Sequence, residues 1–208
     1  MLGCGHIVSS DEGRQCFERL QKRALDELDK QLQESTAVWR IVIGHHPIRS
    51  CGHHGNSDEL LAWLDPILHR HGVHAYINGH DHDLQLISRE DCCSITDDRG
   101  DVYPAMHGRK MLYVTSGAGS KITRRERYSR FLDFRGDGNG FVGVVARPTD
   151  LTITYYDETA AVVHEVEVQR DPPTEAAPAP AAAAAAAALP ELEEVGAHGL
   201  LGVIAPLW

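Results

Sequence analysis

Two short motifs carry the chemistry this chain can offer. Gly44-His45-His46-Pro47 and Gly79-His80-Asp81-His82 each follow a short apolar run. Thirteen residues of the 208 are histidine, and nine of them fall between His45 and His82. Neutral imidazole is a ligand for zinc, iron, manganese and nickel, so such clustering points first to a metal site. In an open α/β sheet, functional residues collect at the carboxyl ends of strands. If the two runs are neighbouring parallel strands, their end loops meet, and His45, His80 and His82 converge on metal. A lone histidine in such a loop is usually just solvated. Two Gly-His motifs at matching strand ends are not explained that way.

The elements that must position these loops are legible. Residues 11–35 carry Phe17, Leu20, Ala24, Leu28 and Leu32 at the three-and-four spacing of one buried helix face. Ser9, Ser10 and Asp11 are candidate caps. AVWRIVI at 37–43 is a β-rich run, and 58–71 has helical spacing through Leu60, Leu61, Leu64 and Leu68, with Pro66 as an irregularity. HGVHAYING at 71–79 gives the second strand. Strand, helix, strand in this order implies a right-handed parallel crossover. Short strands then follow at 84–88, 111–115, 140–146, 151–156 and 162–168. The last alternates Val163, Glu165 and Glu167 against Val162, Val166 and Val168, with a hairpin turn before it near Asp157 and Glu158. The fold class is α/β, with an antiparallel or mixed β segment after the crossover.

Composition narrows the function. Thirty acids against 20 bases give a net charge of −10, which argues against a nucleic-acid binder. Apart from the alanine tract, no apolar run reaches transmembrane length, so no membrane span is expected. The N-terminus shows no basic start and no apolar stretch of signal-peptide length. None of the five cysteines forms a CxxC pair.

IVIGHHPIRSCGHHG followed by LDPILHRHGVHAYINGHDHDLQLI resembles the calcineurin-like metallophosphoesterases, and within them the purple, tartrate-resistant type of acid phosphatase. The resemblance runs on through Ser116–Lys121 and GFVGVVARPTDLTITYYDETAAVVHEVEV, covering roughly residues 17 to 168. It implies the C-terminal half of a four-layer α/β/β/α sandwich built around a dinuclear metal site. Residues 1–170 are then a partial calcineurin-like phosphoesterase domain, 171–190 a Pro/Ala-rich linker and 191–208 a disordered tail, with a docking peptide as the alternative for its apolar end. By resemblance, His45 and His80 bind a divalent metal (iron, zinc or manganese) and His82 binds iron. His54 stands over the substrate, where it contacts phosphate or protonates the leaving oxygen. Members of this family are usually secreted or lysosomal.

The departures bear on activity. The family's remaining ligands are two aspartates, a tyrosine and an asparagine followed by a histidine, in motifs of the form GDxG, GDNxY and GNHD. None occurs here. Three histidines can hold one metal weakly, with open positions for water. They are poorly suited to two. His46 and His53 are either outer neighbours of the ligands or solvated loop residues. Asp83 stands where the family has asparagine and receives no ligand role. Ser116–Lys121 lacks P-loop spacing, and the basic run Lys121, Arg124, Arg125, Arg127 and Arg130 is a solvated face or an attractor of anions. Asp133–Gly140 lacks calcium-loop spacing and reads as a glycine-rich turn.

The expected function is hydrolysis of phosphate monoesters at a dinuclear metal centre, with this chain expected to bind one metal and to be inactive alone because the N-terminal ligands are absent from it. The alternatives are a related metallophosphodiesterase and a truncated, non-catalytic metal-binding or interaction remnant.

Overall fold

The computed structural model describes residues 11–88, 111–123, 132–170 and 202–207. Arg124, Arg125, Arg127 and Arg130, the caps Ser9 and Ser10 and the linker 171–190 lie outside the described residues. Helix α1 spans Asp11–Glu34. Leu28 and Leu32, one turn apart, are buried, while Lys22 and Asp26 pair at 3.0 Å on the wet face. Burying each leucine contributes roughly 1.5–3 kcal/mol. Strand β1 (Arg40–Gly44) follows. Then come α2 (Asp58–Trp63) and α3 (Asp65–Arg70), which lead into β2 (Ala75–Asn78). The single helix expected over 58–71 is thus two. Pro66 stands in the first turn of α3. Proline fits there because its missing N–H has no intrahelical partner in a first turn.

Strand β3 (Leu84–Ile87), β4 (Leu112–Ser116) and β5 (Phe134–Gly136) join the first sheet. Its order is β5-β3-β4-β2-β1-β9, where β9 is Gly202–Leu207. β1 runs parallel to β2, and β2 to β4, as the crossover requires. β3 is antiparallel to β4 and β5. A second, antiparallel sheet has the order β6-β7-β8, from Gly140–Ala146, Asp150–Asp157 and Val162–Gln169.

Two apolar layers hold these pieces. Leu28, Leu32 and Leu68 of the helices, with Leu64 between α2 and α3, pack on Val42, Tyr76 and Tyr113. On the other face Ile41, Ala75, Leu86 and Val114 meet Leu151, Ile153 and Tyr155 of the second sheet. Helices, sheet and sheet are three of the four layers expected of the sandwich, and the mixed α/β class is as expected. The Tyr155 hydroxyl crosses between the sheets to donate to the Gln85 carbonyl at 2.6 Å.

Three sequence expectations differ from what forms. The Asp133–Gly140 turn contains strand β5, because Phe134 packs into the inter-sheet layer and stacks on His164 at 4.5 Å. Val162 does not share a face with Val166 and Val168. The register shifts between Tyr155 and Tyr156, pairing Tyr156 with Val162, and Val162 turns outward at 58% exposure. At 202–207 the chain is not a disordered tail but strand β9, parallel to β1.

Candidate metal centre

β1 ends at Gly44 and β2 at Asn78, side by side and parallel. Two backbone bonds lock the loops that follow. The Gly79 and His80 amides both donate to the His45 carbonyl, at 3.2 and 3.0 Å. This clamp brings His80 Nδ1 to 3.1 Å from His45 Nε2. Gly44 admits the clamp, since a Cβ there would overlap the Tyr76 hydroxyl. That hydroxyl donates to the His46 carbonyl at 2.8 Å. Burial pushes Tyr76 far above the ordinary tyrosine range, so it stays protonated and is a prop rather than a tyrosinate ligand.

Donor nitrogens of His45, His46 and His80 lie within 4.8 Å of one another. The His46 and His80 rings are 4.1 Å apart between centroids. Burial lowers the basicity of both, and neighbouring imidazoles lower it further: His45 and His54 at His46, and His46, His54 and His45 at His80. Glu59 opposes the shift at His46, and Asp81 opposes it at His80. The net effect favours neutral imidazole, the form that ligates metal.

The strand ends therefore bring His45 and His80 together. Among the described residues His82 is not in this group of donors, and His46 is. The His82 residue lies where its carbonyl accepts from the Thr123 amide at 3.0 Å, tying this end of the loop to the segment after β4. His54 is exposed, and its ring lies 4.2 Å from that of His80. It thus stands at the edge of the imidazole group. His53 adjoins His54 at 5.0 Å and is exposed.

The carboxylates near these loops are turned to other work. Asp81 is 1% exposed and accepts from the Ser50 hydroxyl and from the His54 amide. Asp83 is buried and accepts from Gln85 Nε2 at 2.6 Å. Gly117, in the Ser116–Lys121 loop, sits so close that a Cβ would overlap the carbonyls of Asp81 and Gly79. A further anchor lies below. Asp65 is fully buried, 3.1 Å from Arg49 Nη2, and accepts from the Tyr113 hydroxyl at 2.7 Å. Arg49 belongs to the His45 loop, so this pair fixes the loop to the start of α3.

The donor set is three imidazoles, His45 and His46 exposed and His80 half-buried, gathered closely enough to offer a site for one metal ion. No carboxylate joins that group among the described residues. Beside it a 490 Å³ cavity runs from His45 and His46 along Leu25, Leu60, Trp63 and Tyr76. The place of His46 in the imidazole group and the hydrogen bonds from the 50–54 loop to Asp81 are what sequence reasoning missed. The doubled histidine of the first motif was the available signal for His46.

The calcineurin-like phosphoesterase family matches residues 4–84. Purple acid phosphatase 17 of Arabidopsis thaliana is 38% identical over 149 residues, covering 69% of this chain and 39% of that protein. Tartrate-resistant acid phosphatase type 5 of Homo sapiens is 28% identical over 179 residues, covering 80% and 50%. A purple acid phosphatase from yellow lupin (Lupinus luteus) seeds superposes with a TM-score of 0.55 at 17% identity, over 70% of this chain and 28% of that one, a likeness of fold. The chain thus spans half or less of the length of these relatives, which fits a C-terminal half. It belongs to the calcineurin-like phosphoesterases, on the purple acid phosphatase branch.

Proposed function

We propose that this chain is the C-terminal part of a metal-dependent phosphomonoesterase. The observation that carries the reading is the convergence of His45 and His80, 3.1 Å apart across two parallel strand ends, with His54 beside them. A bound divalent cation would polarise the phosphoryl group and make bound water more acidic. His45, His80 and either His46 or His82 would hold it. His54 would contact phosphate or donate a proton to the leaving oxygen, a contribution typically worth ~10²–10⁴-fold. The apolar cavity walled by Leu60 and Trp63 would take the organic part of the ester. A dinuclear centre of iron with a second divalent metal is the family arrangement. It needs bridging carboxylates that the motifs of this sequence do not supply, so one ion per chain is the expected load.

A non-catalytic metal-binding remnant is the second reading, and the all-imidazole donor group favours it. A phosphodiesterase is the third. Hydrolysis of an aryl phosphate monoester and an aryl diester, with added zinc or iron, separates them. Turnover of the monoester, lost in His45→Ala and His54→Ala, supports the proposal. Diester turnover alone favours the phosphodiesterase, and metal binding without turnover favours the remnant.

A further inference from the structure

We propose that Asp81, the residue between His80 and His82, is the positioning residue that holds His54 over the imidazole group. The inference rests on the reading of His54 as the residue facing substrate. Its physical basis is a closed count of donors and acceptors. The 50–54 loop arches over Asp81 so tightly that a Cβ on Gly52 would overlap the carboxylate. One carboxylate oxygen accepts from the Ser50 hydroxyl, and the other accepts from the His54 amide at 3.0 Å. A hydroxyl has one proton and two acceptor sites. Ser50 Oγ already accepts from the Gly52 amide at 2.7 Å and from Gln85 Nε2 at 3.1 Å. Its proton must therefore go to Asp81. Gln85 is fixed in turn, since its Oε1 accepts from the Cys51 amide at 2.9 Å and its amide donates to Asp83. Asp81, Ser50, Asp83 and Gln85 are all at most 3% exposed. In a buried network each partner is costly to remove, so its geometry is tightly specified.

The consequence is directional. Only a group with two acceptor oxygens serves both ends of this loop. Asparagine has the shape but one acceptor, and its NH₂ would face either the filled lone pairs of Ser50 or the His54 N–H. Asp81 is also part of the strand-end motif that carries His80. A single residue therefore ties the spacing of His54 to His80, and the 4.2 Å ring separation follows from it.

The test is NMR on the full chain with histidine labelled, loaded with zinc, comparing wild type, Asp81→Asn, Asp81→Ala and Ser50→Ala. Three signals are read: the contact between the His54 and His80 rings, the contact between the His45 and His80 rings, and hydrogen exchange at the His54 amide. Asp81→Ala should abolish the first, keep the second, and speed exchange at His54 roughly 10- to 100-fold. Asp81→Asn should fall between alanine and wild type. In a Ser50→Ala background its effect should shrink, because the donor it clashes with has gone. Retention of the His54–His80 contact in Asp81→Ala overturns the proposal, as does equal loss of both ring contacts. If Asp81→Ala does not fold, Asp81→Asn decides: wild-type exchange at His54 overturns the proposal, and faster exchange with the His45–His80 contact intact supports it. None of these signals needs turnover, so a chain without phosphatase activity fails the functional reading while leaving this inference decidable.

Discussion

His80 Nδ1 lies 3.1 Å from His45 Nε2, although the two residues follow different strands and stand 35 positions apart. The contact is imposed by backbone. The His45 carbonyl accepts from both Gly79 and His80. The imidazole pair is thus preformed by sheet pairing.

His46 is the third member of the group, its donor nitrogen within 4.8 Å of those of His45 and His80. His46→Ala should weaken zinc binding by at least the ~10–100-fold typical of perturbing a metal's outer shell. His82→Ala should change it less. Competition with a chromophoric chelator ranks the two. The opposite ranking would return the third place to His82.

Asp65 gives a pH signature. Burial alone would raise its pKa, but hydrogen bonding from His69, the Arg49 charge and the Tyr113 hydroxyl hold it below the ordinary value. A carboxyl depressed on folding stabilises the fold above its unfolded pKa of about 3.9 and loses that contribution as pH falls through the folded value. Asp65→Asn should cost about 3–5 kcal/mol near neutral pH, as expected for breaking a buried pair. The deficit should shrink below about pH 4. Urea unfolding at pH 7 and at acidic pH measures both, and a pH-independent deficit would contradict the assignment.

Gly117 and Gly119 make a matched pair in one loop. A Cβ at Gly117 overlaps two carbonyls of the His80 loop, whereas a Cβ at Gly119 meets nothing within 4 Å. Gly117→Ala should cost roughly 1–3 kcal/mol, the range for overpacking, and should weaken zinc binding. Gly119→Ala should be close to neutral on both counts. Equal effects would mean that the loops are not in contact.

Strand β9 covers the outer edge of β1, with Gly44 opposite Leu207. Removing 202–208 should expose that edge, lower the Tm by more than about 4 °C and promote self-association. An unchanged melting curve and a monomeric profile in light scattering would show that the edge tolerates exposure.

Much of this was legible because local and global signals agree. The strand runs ending at Gly44 and Gly79 and the leucine spacing of α1 each specify one element, and the parallel pairing of β1 with β2 then brings His45 to His80. What was not legible depends on distant partners. Nothing near Gly202 announces that GVIAPL pairs with RIVIG. Phe134 becomes a strand residue because His164 stacks on it from the second sheet. The outward turn of Val162 comes from one register shift that alternation cannot foretell. His46 lay in plain view, but its adjacency to His45 suggested a neighbour of the ligands. The orientation of Asp81 depends on Ser50 and Gly52, which arrive from another loop.

The β1–β9 pairing also sets an order of events. Arg40 pairs with Gly202, and Gly44 with Leu207, so the sheet that carries the histidine loops is closed by residues synthesised long after them. During translation β1 has β2 on one side and a bare edge on the other. Closing it means ordering the far end of a long chain, the kind of distant contact that slows folding. The histidine pair can form early, while the sheet beneath it is finished only after the segment beyond residue 201 has left the ribosome. Quality-control factors would therefore meet a half-edged sheet with its histidine loops already in place.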